Sequence, residues 1–198
     1  MYCPPMARPR KFDEERAVGA AMDAFRAAGY EATSTQDLCE ATGLGRSSIY
    51  NTFKSKHDLF ERALDRFMTE RNGELFALLE SGLPVREKIR THLRRVVDEE
   101  CDGEEARRGC LVVNTAIEIA ARDEEVAGEL ARDYRLRLEA IRAAIASGQR
   151  DGDIDPGKDA RALAHLVIAA VGGLRVSARC GADRVALEGV VEGFMAAL

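Results

Sequence analysis

The chain has 198 residues, 46% of them hydrophobic and 32% charged, with no tryptophan and a net charge of −5. That is apolar mass enough for one domain or two small ones, and it excludes intrinsic disorder. The charge is uneven: residues 1–56 carry net +1 and the remainder −6, so a general nucleic-acid coat is excluded while one locally basic face is not.

The elements read as helices throughout. Val18, Ala21, Met22, Phe25 and Ala28 recur at helical spacing between an acidic start, Asp13–Glu15, and Gly29. A short helix over Thr35 to Thr42 follows, then a turn at Gly43-Leu44-Gly45. A second short helix turns Ile49 and Phe53 inward. Ser55 is a good N-cap for the next helix, whose stripe runs Leu59, Phe60, Ala63, Leu64 and Phe67 to about Glu80. Pro84 fits the first turn of a helix ending near Glu100. A polar loop over Asp102–Gly109 leads into CLVVNTAIEIAAR, apolar on most sides and expected to be central. Val126, Leu130, Tyr134, Leu138, Ile141 and Ile145 mark a long amphipathic helix ending near Ser147-Gly148. After the loop DGDIDPGKD, two helices over about Asp159–Arg179 and Asp183–Leu198 close the chain. The class is all-α.

The five cysteines (Cys3, Cys39, Cys101, Cys110, Cys180) are odd in number and contain no C-x-x-C pair. A disulfide framework or zinc ribbon is therefore not expected, and a reducing, cytoplasmic setting is. No apolar run approaches the roughly 18 residues of a membrane span, and MYCPPMARPRKF lacks the core of a signal peptide, so no membrane partner is expected. No P-loop, G-x-S-x-G or H-E-x-x-H occurs, so neither catalysis nor a cofactor is expected.

Function concentrates in STQDLCEATGLGRSSIYNTFKSKHDLF, residues 34–60. Two short helices around a glycine-bearing turn make a helix-turn-helix, whose second helix fits the major groove. A buried helix would not surround Ile49 and Phe53 with Arg46, Ser47, Ser48, Tyr50, Asn51 and Thr52. Those groups suit base edges and phosphates. Lys54 and Lys56 lie where the next helix begins, another place that attracts phosphate. A solvated polar turn between packed helices would show a similar pattern.

On these residues the segment resembles the N-terminal domain of TetR/AcrR-type transcriptional regulators. The features that carry the resemblance are AFRAAGYEATS, TQDLCEATGLGRSSIYNTFKSKHDLF, the aromatic at Tyr50 and the F-x-x-K frame of Phe53 and Lys56. The resemblance implies a three-helix DNA-binding domain over residues 1–56 and a helical ligand-binding and dimerisation domain over 57–198. It implies a homodimer joined through the two C-terminal helices, released from a palindromic operator by a small-molecule effector. Carried over by position, Thr35 and Gln36 touch phosphate or a groove edge, Arg46, Ser47 and Ser48 read bases, and Tyr50, Asn51 and Lys56 hold the backbone. Gly45 departs from the family pattern, which leaves Gly45 or Arg46 as the cap of the second helix. Residues 1–11 would form a flexible basic arm, with Arg8, Arg10 and Lys11 able to enter a minor groove or simply to stay solvated. Met6 also begins a typical family N-terminus.

Cys110, Asn114 and Glu118 fall at i, i+4 and i+8 on an otherwise apolar helix. His92, Tyr134 and His165 each sit within an apolar stripe. Each could be a satisfied core residue; together they suggest an apolar pocket with polar anchors. They lack the local pairing of metal ligands, so no metal is expected. Cys110 also opens its helix behind Arg107 and Arg108, a setting that favours a thiolate, and some family members with a cysteine there respond to electrophiles or oxidants. A packing role is the alternative, as is a helical ligand-binding dimer whose DNA head has lost its function. The last two helices hold more apolar surface than one small core needs, so a four-helix dimer interface is expected, with Phe194 among its residues.

Overall fold

The computed structural model describes residues 10–103 and 108–198, with side chains from Glu14 onward. Among them are nine helices: α1 (Arg10–Ala28), α2 (Thr35–Thr42), α3 (Arg46–Thr52), α4 (Lys56–Glu80), α5 (Val85–Cys101), α6 (Leu111–Glu118), α7 (Glu124–Arg150), α8 (Ala160–Arg179) and α9 (Arg184–Ala197). The described residues contain no strand.

Local chemistry explains the short helices. Ser34 Oγ accepts the Asp37 N–H, and the Asp37 carboxylate accepts the Ser34 N–H, a closed capping box that starts α2. Gly43 ends it at φ +69°, a left-handed cap that costs glycine little. Gly45 is the N-cap of α3 and Arg46 its first residue, which settles the open choice of cap. Gly45 brings no side-chain cap, so α3 depends on tertiary anchoring. Ile49 and Phe53, both buried, supply it. Ser55 caps α4 as expected, accepting the Asp58 N–H at 3.0 Å.

Two apolar cores result. The first gathers Phe25, Leu38, Ile49, Phe53, Leu59, Phe60 and Leu64 from α1 to α4, and it also takes in Leu111, Ile119 and Val126 from the second half of the chain. The Phe25 and Phe60 rings meet edge to face at 5.1 Å. The second core is built on Ile89, Leu93, Ile141, Ile145, Val167, Leu174 and Leu187 of α5, α7, α8 and α9. α4 belongs to both, Leu59 to Met68 in the first and Leu75 in the second.

Several expectations are corrected. Arg10 and Lys11 begin α1, so those two are not in a flexible arm; the rest of the arm, and Arg107, lie outside the described residues. The loop expected over Asp102–Gly109 has helical backbone at Gly103 and Arg108. α6 stops at Glu118 and is not central: Ala116 and Ile117 are exposed because this side of the helix faces a hollow. Phe194 is only 8% exposed and belongs to its own subunit's core, as do Leu187 and Val191. The apolar surface left over is a narrower stripe, with Leu166 and Val176 on α8 and Val185 and Val190 on α9. By length and composition α8 could cross a membrane; here it packs against α5, α7 and α9 and carries the buried Arg175.

Candidate functional site

The outer face of α3 presents Arg46, Ser47, Ser48, Tyr50, Asn51 and Thr52, all exposed, over the two buried anchors. The Tyr50 hydroxyl lies 3.3 Å from Thr35 Oγ1 at the start of α2, and the Arg46 guanidinium lies 5.9 Å from the Tyr50 ring centre. The Thr35 hydrogen bond, then Arg46, lower the Tyr50 pKa. The two motif helices are thus tied at their polar ends. Lys56 Nζ sits 4.3 Å from the Tyr30 ring, which packs on Phe60 at 4.7 Å. That contact holds the ammonium beside the N-terminus of α4, where backbone N–H groups also favour an anion. Tyr50 is thus in contact with both Thr35 and Arg46, Gln36, Ser47, Ser48 and Asn51 are exposed on the same two helices, and Lys56 is half-exposed at the start of α4. Tyr30 was not legible as part of this site, since a tyrosine after a helix-ending glycine reads as loop.

α6 joins this head to the rest of the molecule. Gly29, at φ +86°, leaves room for Glu118: a Cβ there would lie 2.8 Å from Glu118 Oε2. The Glu118 carboxylate accepts the Tyr30 N–H at 2.9 Å and the Glu31 N–H at 2.8 Å. Asn114 Nδ2 donates to the Arg26 carbonyl at 3.3 Å, and Arg26 Nε donates to the Gly109 carbonyl at 3.0 Å. A second tie joins α4 to α7. His57 Nε2 and Asp123 Oδ2 are 2.7 Å apart, and Asp123 is the N-cap of α7. Burial alone would lower the His57 pKa, but the Asp123 hydrogen bond and the Glu61 carboxylate raise it.

Behind α6 lies a cavity of about 290 Å³ bounded by α4, α5, α6, α7 and α8. Phe67, Leu75, Val96, Val113, Ile168 and Val171 give it an apolar lining. Its polar wall holds His92, Tyr134, Arg71, Arg95, Arg137 and Arg175, with Asn72, Glu99 and Asp133. A second hollow of about 320 Å³ shares Cys110, Val113, Ile117 and Arg175 with the first and reaches Asn114 and Cys180.

The six residues expected to bind a ligand do not converge on one place. His92, Cys110 and Tyr134 line the first cavity, Cys110 also the second, and Asn114 lines only the second. Glu118 lines neither, because both its oxygens are held by the α1–α2 loop. His165 is exposed on the outside of α8, its Nδ1 2.6 Å from the Tyr134 hydroxyl. The arginines and Asp133 of the polar wall were missed, since charges spaced along amphipathic helices read as solvated faces. Among the described residues no cluster of His, Cys, Asp or Glu suits a metal ion.

Comparison with known proteins agrees with this geometry. A family model described as "Bacterial regulatory proteins, tetR family" matches residues 18–63, and one described as "Tetracyclin repressor-like, C-terminal domain" matches residues 86–194. The chain is 31% identical over 150 residues to the HTH-type transcriptional regulator YezE of Bacillus subtilis, covering 76% of this chain and 77% of that protein. It is 29% identical over 181 residues to the HTH-type transcriptional repressor ComR of Escherichia coli, covering 89% and 84%. A solved cysteine mutant of the TetR family regulator CifR, complexed with 26-base-pair operator DNA, superposes with a TM-score of 0.84 at 32% identity, covering 96% of this chain and 99% of that one. On the two family matches, the relatives and the shared fold, this chain belongs to the TetR family of DNA-binding transcriptional regulators.

Proposed function

We propose that the protein is a homodimeric repressor, acting in the cytoplasm, whose grip on a palindromic operator is loosened by a small molecule in the cavity behind α6. The observation that carries this reading is the double role of α6. Val112, Val113, Ala116 and Ile117 line the cavity, while Asn114 and Glu118 of the same helix hold the head. Half-sites one turn apart need recognition helices about 34–36 Å apart, so a small shift of α6 would spoil their register. Gel shift with the DNA upstream of its own gene, together with native mass spectrometry for a co-purified molecule, tests the reading. No specific complex at low salt would favour a ligand-binding dimer without DNA function.

Glu118→Ala should weaken binding to the full palindrome by about tenfold, within the 1–3 kcal/mol range of allosteric couplings. Binding to DNA with a single half-site should stay unchanged. Fluorescence anisotropy on both DNAs checks this; equal losses would show a damaged head rather than lost alignment.

The dimer reading draws on the outer stripe of α8 and α9. Val185 is 76% and Val190 47% exposed, and Cβ atoms built at the exposed Gly173, Gly189 and Gly193 would meet nothing within 4 Å. Small and apolar residues open outward in this way suit a close helix–helix contact with a second copy. Val190→Asp should therefore yield monomers in sedimentation, with helicity retained because Val190 is outside the core. Phe194→Asp would instead damage the fold.

Cys110 supports a second reading, thiol sensing. It is the N-cap residue of α6 and borders both hollows. The DNA-bound CifR structures are also cysteine mutants. If the thiol is the sensor, iodoacetamide should alkylate it and release DNA, and Cys110→Ser should abolish that response. Release that persists in Cys110→Ser returns the function to a reversible ligand.

A further inference from the structure

The polar wall of the cavity leaves several buried hydrogen-bonding groups unused. Each of its carboxylates faces an arginine, Glu74 included at 3.1 Å from Arg71. Glu99 lies between Arg71 at 2.6 Å and Arg175 at 2.8 Å, and Asp133 between Asn72 at 2.8 Å and Arg137 at 2.7 Å. Glu100, buried just behind, takes Arg175 at 2.7 Å. The guanidinium groups are not used up. The buried Nε–H groups of Arg137 and Arg175 have no hydrogen-bond partner among the described residues. Arg95 lines the same cavity from α5 and has no ion pair among the described residues. Two acceptors of the wall, Asn72 Oδ1 and Asp133 Oδ2, also lack a hydrogen-bond partner among the described residues, although the charge of Asp133 is met by Arg137 at 2.7 Å.

These arginines reach the cavity from three helices, α5, α7 and α8, and act on one point. His92 is pushed down to about 4 by burial first, then by the charges of Arg175, Arg137 and Arg95. It is therefore a neutral ring at pH 7, and of the three arginines around it Arg95 has no ion pair among the described residues, while Arg137 and Arg175 each keep an unused buried Nε–H. A buried donor left without an acceptor destabilises the site, and a ligand oxygen removes that penalty. A guanidinium matches a carboxylate through two parallel hydrogen bonds. An ammonium ligand would meet three like charges, and an alcohol would leave most of the donors unanswered.

We infer that the effector is an anionic amphiphile, a carboxylate on an apolar tail or ring, with its carboxylate among Arg95, Arg137 and Arg175 and its apolar body along Phe67, Val96 and Val171. This inference rests on the effector-cavity reading above and gives it a chemical class. A fatty acid and an aryl acid share the chemistry.

The test is calorimetric titration of the full-length protein with octanoate, 1-octanol and octylammonium, which match in tail length and differ in charge, and with 3-phenylpropanoate as the aryl acid. At least one carboxylate should bind ten or more times tighter than the alcohol and the ammonium. Arg137→Gln and the milder Arg95→Gln should each weaken that carboxylate about five- to tenfold while leaving 1-octanol unchanged. Arg95 is exposed, so its variant remains informative if the other fails to fold. Equal or tighter binding of 1-octanol or octylammonium would overturn the anionic class and leave the effector cavity standing. Binding by none of the four, with no small molecule carried in native mass spectrometry, would overturn both.

Discussion

Arg175→Ala is expected to destabilise the protein by about 3–5 kcal/mol, the usual consequence of removing one partner from a buried ion pair. The Arg175 side chain is 11% exposed and bridges Glu100, itself 4% exposed, and Glu99. Without the guanidinium, Glu99 still has Arg71, whereas Glu100 loses its charge partner on the α5–α8 contact. The deficit should therefore be concentrated in one carboxylate. Urea unfolding at a fixed protomer concentration measures it, since association contributes to apparent stability. Adding Glu100→Gln to the alanine variant should restore a large part of the loss, because an amide needs no counter-charge. A loss below about 1 kcal/mol, or no recovery, would mean that the bridge contributes little beyond packing.

On DNA, Arg46→Ala should cost about 1–3 kcal/mol on the operator, or roughly 5- to 150-fold in affinity, if the guanidinium pairs with a guanine edge. Arg46 is exposed at the first turn of α3, the part of a recognition helix that meets bases, and its contact with Tyr50 orders it beforehand. Random-sequence DNA should lose much less. Lys56→Ala should behave differently, weakening all sequences alike and flattening the salt dependence by about one unit per protomer for its lost phosphate contact. Anisotropy titrations over a salt series separate the two behaviours. If Arg46→Ala lost equally on both DNAs, Arg46 would be a backbone contact.

Sequence patterns were informative where local rules apply and silent where partners are distant. Ile49 and Phe53 could be placed inside because their neighbours are all polar, and Ser55 could be placed as a cap because it stands just before the stripe that begins at Leu59. The end of α6 could not be placed that way. CLVVNTAIE reads as a helix to be buried on most sides, yet its exposed flank faces a hollow that exists only because α4, α5, α7 and α8 are held apart around it. Glu118 shows the same limit. Its spacing from Asn114 suggests a shared pocket face, whereas its partners are two backbone N–H groups 87 and 88 positions away in sequence. Phe194 was misplaced because an apolar stripe alone does not tell an intramolecular core from a contact between copies; only the packed neighbours do.

The seating of Leu111, Ile119 and Val126 in the first core limits how this protein can be cut and recombined. Each is nearly or wholly shielded from water, and burying such a side chain is worth roughly 1.5–3 kcal/mol. A reader head excised after α4 would open all three seats at once, a deficit comparable to the whole stability of a small domain. Fusions that graft this head onto a foreign sensor would have to carry α6 and the first turn of α7 with it. The natural seam for a chimera lies in three dimensions, across two stretches of chain, and no single cut point provides it.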